Sequence, residues 1–223
     1  MKKILLFLRH GKTNYTGVFP DLTDEGKREI ENTAERIARI AKGMEGKTII
    51  VSSPTTRALG SADIIAKRLG YPSQIVKEQA LRCMDFYDPE KANEIWKEFP
   101  TARDVDRAYA SDPRFEKGTV IEKRSAIQYR FFAYLGTLFE KLPADDSEDI
   151  AVIVSHYELL WSLASIFHFK DPLIHGELIR LDLSYKAVSP EIQTSILFRN
   201  CARSFNCRPP VDAFMHQFDL NYR

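Results

Sequence analysis

Short apolar runs alternate along the chain with longer segments in which apolar residues recur every three or four positions. The runs at residues 4–8, 49–51 and 150–154 have the length of buried strands. The first run follows two lysines, as a secretory signal does, but such a signal needs roughly 7–15 apolar residues. Here the run stops at Arg9-His10-Gly11. We therefore predict that the chain opens with a strand and not with an export signal.

Two segments between these runs have the periodicity of amphipathic helices. In residues 23–43, Ile30, Ala34, Ile37 and Ala41 lie on one helical face, and Thr23 is a suitable N-cap. The segment after residue 51 is predicted to begin with Ser53 as N-cap and Pro54 as its first residue, and to end at Gly70. Strands alternating with helices indicate an α/β fold. We predict a three-layer sandwich in which a mainly parallel sheet has helices on both faces.

The rest of the chain is predicted to complete one domain, residues 1–223. Residues 120–142 have helical periodicity, and residues 178–183 and 194–198 resemble further strands. Residues 80–119 contain several prolines and aromatic residues, and we expect them to form a small cap over the strand ends. The tail is interpreted as a packed or partner-binding extension, and His168, His175 and His216 as structural residues.

The composition limits the classes of partner. The sequence has 32 lysines and arginines against 31 acidic residues, so no global field attracts nucleic acid or an anionic membrane. No apolar run approaches the roughly 20 residues that span a bilayer. Its 3 cysteines are scattered, which is typical of a reducing compartment. We expect a cytoplasmic protein with no nucleic-acid or membrane partner.

Charged and imidazole side chains follow each of the three predicted strands. Arg9 and His10 follow the first strand, Arg57 lies in the helix after the second, and His156 follows the third. Ligands of parallel α/β sheets bind at the carboxyl ends of the strands. Taken singly, Arg57 could be a solvated surface residue and His156 a core residue. Together the four residues predict a site for a dianion, most simply phosphate.

Four stretches resemble the signature segments of the histidine phosphatase superfamily, also called the phosphoglycerate mutase-like family. They are "LRHGKT", "DLTDEG", "SSPTTRALGSA" and "VIVSH". The resemblance implies phosphomonoester hydrolysis through a phosphohistidine on His10, without a metal or other cofactor. It implies that Arg9, Arg57 and His156 bind the phosphate oxygens and that Thr13 supports the loop. The substrate would be a small-molecule or protein phosphomonoester, and the oligomeric state is left open.

The sequence departs from the family pattern at the residue that protonates the leaving group. The family has a Glu where this chain has Cys83, in "LRCMD". A thiol with a pKa of about 8.5 is a poor acid catalyst at neutral pH. Asp85 is the predicted replacement, because it shares a side with Cys83 in an extended segment. Glu78 and Asp88 are alternatives, and Asp85 could instead be a turn or capping residue.

The loop after Thr13 also differs from that of the mutases. It reaches Leu22-Thr23 quickly and lacks the Asn and the Gln-Gly that the mutases carry. Its length resembles that of the bacterial phosphohistidine phosphatases, so we favour a phosphatase. Two alternatives stay open at this point: a phosphoglycerate-type mutase, and a non-catalytic phosphate- or phosphoprotein-binding module that has lost its acid.

Overall fold

The structure is a computed structural model. It describes residues 2–14, 20–44, 46–71, 74–99, 101–141, 148–166, 171–185, 192–199 and 201–207. His168 and His216 lie outside these ranges, as does the tail after residue 207.

The described strands form one sheet in the order β3-β2-β4-β1-β5-β6-β7. Their bounds are Lys2–Arg9 (β1), Thr48–Ser52 (β2), Ile75–Lys77 (β3), Asp149–Ser155 (β4), Leu178–Tyr185 (β5), Ile192–Phe198 (β6) and Cys201–Cys207 (β7). Strands β1 to β4 run parallel to one another. Strand β5 is antiparallel to β1, and β6 and β7 continue the antiparallel pairing. The sequence analysis missed β3 and β7.

The helices connect the strands and cover the sheet. Their bounds are Asp24–Ala41 (α1), Thr56–Leu69 (α2), Pro89–Lys97 (α3), Ala102–Ser111 (α4), Arg124–Lys141 (α5) and Tyr157–Ile166 (α6). Short 3₁₀ helices lie at Gln79–Leu81 and Pro113–Glu116. No helix within the described ranges is both long and apolar enough to cross a membrane.

Two hydrophobic clusters lie on opposite faces of the sheet, which confirms the predicted sandwich. Side chains alternate across a strand, so Ile4, Leu6 and Leu8 of β1 pack with α1 and α2. Leu5 and Phe7 face the other way, toward α5 and α6. All five side chains are buried. The apolar run that opens the chain is therefore the centre of the fold.

The ends of the first two helices test the predicted caps. Thr23 is the N-cap of α1, and its side chain accepts a hydrogen bond from the Gly26 N–H at 3.0 Å. Gly70 ends α2 with a φ of 82°, as its left-handed C-cap. The predicted start of α2 is wrong by two residues, because Thr55 and not Ser53 is its N-cap. Ser53 has another partner, described below.

Residues 80–119 contain α3, α4 and the 3₁₀ helix at Pro113–Glu116. Tyr109 and Phe115 are buried, and Trp96 and Phe99 pack against the same cluster. This cluster is continuous with the core on the α5 and α6 face of the sheet. The aromatic residues of this segment thus belong to the core. That the segment covers the strand ends stays a prediction.

Candidate active site

His10 lies immediately after β1, on the carboxyl edge of the sheet. Its backbone N–H donates to the Ser155 carbonyl at the end of β4, at 3.0 Å. The ring is buried, and its Nδ1 is 2.8 Å from the carbonyl oxygen of Gly11. The parallel pairing of β1 with β4 therefore places His10 beside His156, and the two ring centroids are 5.1 Å apart.

Arg57, in the first turn of α2, contacts both histidines. Its Nε donates to Nε2 of His10 at 3.2 Å, and its Nη2 is 3.3 Å from Nδ1 of His156. A guanidinium can only donate, so both of these ring nitrogens are acceptors. The proton of His10 is then on Nδ1, where it is donated to Gly11. This leaves the Nε2 lone pair of His10 directed toward the site.

His156 is held on its other side by hydroxyl groups. Its Nε2 is 2.8 Å from Oγ of Ser53 and 3.3 Å from Oγ1 of Thr55. Because Nδ1 accepts from Arg57, Nε2 carries the proton and donates it to Ser53. The segment between β2 and α2 therefore supplies Arg57 and also fixes the orientation of His156.

Both imidazoles are neutral. Burial lowers the pKa of His10 well below its ordinary value, and the charges of Arg57 and Arg9 add to the shift. Burial likewise lowers the pKa of His156, with further contributions from His10 and Arg57. A neutral imidazole with a fixed tautomer and an available lone pair is the form that a nucleophilic histidine requires.

Arg9 is buried beside this group, but its guanidinium is directed to a carboxylate. Its Nη1 donates to Asp106 Oδ2 at 2.7 Å and to the Leu173 carbonyl, and its Nη2 is 3.4 Å from Asp106 Oδ1. The guanidinium carbon lies 5.0 Å from the ring centroid of Tyr157. Asp106 is on α4, in the segment predicted to form the cap. The sequence analysis gave no sign of this ion pair.

His175 was interpreted as structural, yet it lies at the site. Its ring centroid is 5.5 Å from that of His10. Burial lowers its pKa to about 3, and the charges of Arg9, Lys12 and Arg57 act in the same direction. Its Nε2 and the Nε of Arg9 are buried atoms without a hydrogen-bond partner among the described residues. Two buried nitrogen atoms near His10 thus have no hydrogen-bond partner among the described residues.

The loop after His10 is fixed by backbone contacts. A Cβ on Gly11 would collide with the Gly26 carbonyl, and a Cβ on Gly26 would collide with the Lys12 backbone. Thr13 Oγ1 donates to the Gly11 carbonyl at 3.2 Å, which agrees with the supporting role expected for it. The Gly11 N–H donates to Ser61 Oγ in α2 at 3.2 Å. The loop of His10 and the helix of Arg57 are therefore joined directly.

The three acids considered as proton donors make local contacts. The Asp85 carboxylate accepts hydrogen bonds from Arg82, the shortest of 2.6 Å, and these lower its pKa. Glu78 accepts from the Ala80 N–H at 2.9 Å, at the start of a 3₁₀ helix. Asp88 caps α3 and pairs with Lys91. Asp85 is therefore held in its ionised form, which is not the form that donates a proton.

Cys83 nevertheless lies near the site, and a different carboxylate lies near Cys83. Burial raises the pKa of its thiol and the charge of Glu158 adds to this shift, while the charge of Arg57 opposes it. Glu158 is the second residue of α6, two positions after His156. Its Oε2 is buried and has no hydrogen-bond partner among the described residues. Glu158 is therefore a carboxylate near Cys83 that was not among the acids considered from the sequence.

Arg124 and Arg130, two buried or half-buried arginines of α5, are ion-paired. Arg124 contacts Glu116 at 2.7 Å, and Arg130 contacts Glu122 at 3.0 Å. Within the described ranges, no group of three or more His, Cys, Asp or Glu side chains could hold a metal ion.

Solved structures with a similar fold include phosphatases and mutases. The mycobacterial glucosyl-3-phosphoglycerate phosphatase aligns with a TM-score of 0.60 at 20% identity, over 83% of this chain and 92% of that chain. YhfR of Bacillus stearothermophilus gives 0.62 at 16% identity, over 89% and 96%. Phosphoglycerate mutase of Bacillus anthracis gives 0.58 at 15% identity, over 97% of both chains. At these identities the likeness concerns the fold alone. No curated protein sequence matches the chain.

A family model extends the comparison to the sequence. The model of the histidine phosphatase superfamily, branch 1, matches residues 5–186. The match includes His10, Arg57 and His156, the three side chains that the sheet brings into contact. Because it also spans most of the chain, this protein belongs to the histidine phosphatase superfamily.

Proposed function

We propose that this protein hydrolyses phosphomonoesters through a covalent phosphohistidine on His10. The observation that carries the proposal is the state of His10, which is buried and neutral. Its Nδ1–H donates to the Gly11 carbonyl, and its unprotonated Nε2 accepts from Arg57. A residue that only bound phosphate would have no need of an unprotonated ring nitrogen at this position. The substrate class is a small-molecule or protein phosphomonoester.

The proposed reaction has two steps. In the first, Nε2 of His10 attacks the phosphorus atom, the N–P bond forms, and the ester P–O bond breaks while the leaving oxygen takes up a proton. In the second, a water oxygen attacks the phosphorus atom and the N–P bond breaks. The water proton passes to the carboxylate that lost one in the first step. Inorganic phosphate leaves and His10 is again neutral.

The charges around His10 suit the transferring phosphoryl group. Arg57 already donates to both histidines, so a phosphoryl group on His10 Nε2 lies within reach of its guanidinium. The Nε of Arg9 and the Nε2 of His175, which have no hydrogen-bond partner within the described part of the chain, offer two further buried contacts. The negative charge of the phosphate would also favour protonation of His156, turning its Nδ1 into a donor. Fixed donors of this kind stabilise the transition state of phosphoryl transfer.

For the proton donor we propose Glu158 in place of Asp85. Arg82 lowers the pKa of Asp85, which keeps it ionised. Glu158 lies near enough to Cys83, the residue at the family's acid position, to influence its thiol. Its Oε2 is buried and has no hydrogen-bond partner among the described residues. A buried carboxyl oxygen without a partner requires an explanation, and transfer of a proton to the substrate is one.

The deciding experiment is a search for the covalent intermediate. The protein is mixed with p-nitrophenyl phosphate, quenched under alkaline conditions, and examined by mass spectrometry for a phosphorylated peptide. We expect phosphate on His10, steady release of p-nitrophenol, and loss of both in His10→Asn, which keeps an amide N–H near the Gly11 carbonyl. Absence of turnover and of phosphorylation on a broad panel of phosphoesters would refute the proposal. Isomerisation of 3-phosphoglycerate would identify a mutase.

A further inference from the structure

The ion pair between Arg9 and Asp106 joins two distant parts of the fold. Arg9 is the last residue of β1, and Asp106 lies in the middle of α4. Arg9 is 5% exposed and Asp106 is 8% exposed, so solvent screens their interaction little. The shorter of their two contacts is 2.7 Å. Asp106 is thus a resident anion next to the residue that precedes the nucleophile.

Hydrogen bonds within the protein use the Nη1 and Nη2 end of the Arg9 guanidinium. Both hydrogens of Nη1 are used, one by Asp106 and one by the Leu173 carbonyl, and Nη2 makes the longer contact to Asp106. The Nε hydrogen has no partner among the described residues, and Nε is buried. Arg9 can therefore bind an external anion through its Nε edge while Asp106 holds the opposite end.

From this arrangement we infer that Asp106 sets the affinity of the site for phosphate by acting as the internal counter-ion of Arg9. The inference rests on the proposed function, because it concerns the same phosphate site. A phosphate bound at the Nε edge of Arg9 contacts the same guanidinium as the Asp106 carboxylate. Because both groups are negatively charged, each weakens the binding of the other to Arg9. The affinity for phosphate is therefore lower than it would be if Arg9 had no counter-ion, and the product is released more readily after hydrolysis.

Removal of the carboxylate should have the opposite effect. A buried guanidinium that loses its partner is an uncompensated charge, which is costly in a folded protein. An anion that binds the variant then supplies the missing counter-ion. Asp106→Asn keeps the size of the side chain and one acceptor oxygen, so Arg9 stays in place while the negative charge is removed.

The charged and titratable groups around Asp106 come from two elements, β1 and α6. Arg9 of β1 contacts it directly, Glu158 of α6 lies near enough to influence it, and Asp106 itself influences the neighbouring hydroxyl of Tyr157. Burial raises the pKa of Asp106 to about 6, although Arg9 opposes this shift. Acidification thus neutralises Asp106 within an accessible pH range, whereas sulfate remains a dianion there.

The test measures anion binding without turnover. Sulfate and inorganic phosphate are titrated calorimetrically into the parent protein, Asp106→Asn and Asp104→Asn. Asp104 lies on the same helix and contacts Thr101, so it is a control for the same change of charge. We expect Asp106→Asn to bind both anions about tenfold more tightly, equivalent to about 1.4 kcal/mol, and Asp104→Asn to resemble the parent. Unchanged or weaker binding by Asp106→Asn would refute the inference.

A second measurement tests the inference if Asp106→Asn does not fold. The parent protein and His156→Gln are titrated with sulfate from about pH 8 to about pH 5. His156→Gln removes the proton that His156 would take up when an anion binds. We expect tighter binding at low pH in both proteins, and no pH dependence in His156→Gln contradicts the inference. If His10 is phosphorylated and turnover is normal, but Asp106→Asn binds the anions with the affinity of the parent, only the counter-ion role of Asp106 is refuted. A parent protein that neither binds these anions nor forms phosphohistidine would refute the proposed function as well.

Discussion

The Nε hydrogen of Arg57 is directed at Nε2 of His10 across 3.2 Å. The atom proposed to attack phosphorus is therefore already in contact with the cation proposed to stabilise the transferred group. The same guanidinium lies 3.3 Å from Nδ1 of His156. One side chain thus fixes the tautomer of both rings and determines where the phosphoryl group has to lie.

Arg57 is expected to contribute mainly to the transition state. Loss of a fixed donor from such a site typically lowers turnover by about 10²–10³-fold. We therefore expect Arg57→Ala to lower kcat for p-nitrophenyl phosphate by about that factor and to leave the fold intact. The matched control is Arg68→Ala on the same helix, where the arginine pairs with Glu35 at the surface. An Arg57→Ala enzyme with the activity of the control would remove Arg57 from the mechanism.

The proton donor can be identified by comparing the activity of variants on substrates whose leaving groups differ in basicity. An alkoxide needs protonation much more than p-nitrophenolate does. We expect Glu158→Gln to lower kcat/KM for an alkyl phosphate by about 10²-fold or more, and for p-nitrophenyl phosphate by much less. Asp85→Asn should affect both substrates equally and slightly. The opposite pattern, with leaving-group dependence in Asp85→Asn, would restore Asp85 as the donor.

The buried neutral histidines should make the protein sensitive to acid. His175 has a pKa of about 3 in the folded chain, against an ordinary value of about 6.5 in the unfolded chain. Between these values only the unfolded chain binds the proton, so the free energy of unfolding falls as the pH falls. Each such proton contributes a slope of about 1.4 kcal/mol per pH unit.

His175→Gln should therefore reduce the slope of the unfolding free energy against pH by the contribution of about one proton, between about pH 6 and about pH 4. The measurement is urea unfolding at a series of pH values, with the parent protein alongside. We expect the variant to lose less stability than the parent on acidification, whatever its stability at neutral pH. Parallel pH profiles for the two proteins would show that His175 is not held neutral in the folded state.

Gly26 should be needed for the position of His10, although it lies on α1. Any Cβ at this residue meets the Lys12 backbone, which cannot move without displacing the Gly11 carbonyl that binds His10. We expect Gly26→Ala to lower both stability and turnover. Gly43→Ala serves as the control, because a Cβ there has no neighbour within 4 Å. Equal activity of the two variants would mean that the loop tolerates the shift.

The part of the site that was predicted from sequence consists of residues next to strand ends. Hydrophobic periodicity located β1, β2 and β4, and the polar residues after them, His10, Arg57 and His156, come into contact. Asp106 could not be found in this way, because α4 carries it and no local pattern shows that the helix packs on Arg9. Asp85 was chosen from side-chain alternation, which does not reveal that Arg82 holds its carboxylate.

Strand β5 lies beside β1 and runs in the opposite direction, which brings a further segment of the chain to the site. Because β5 is antiparallel to β1, the chain enters β5 at the edge where β1 ends. The turn before β5 therefore brings the Leu173 carbonyl to Arg9 and the ring of His175 to His10, at the proposed phosphate site. The same turn also holds the first strand end, because the Gly176 N–H donates to the Arg9 carbonyl at 3.1 Å. Substitutions in this turn are therefore expected to act on the site from the β5 side and through the backbone of Arg9 and His10, whereas Arg57 is carried separately by α2.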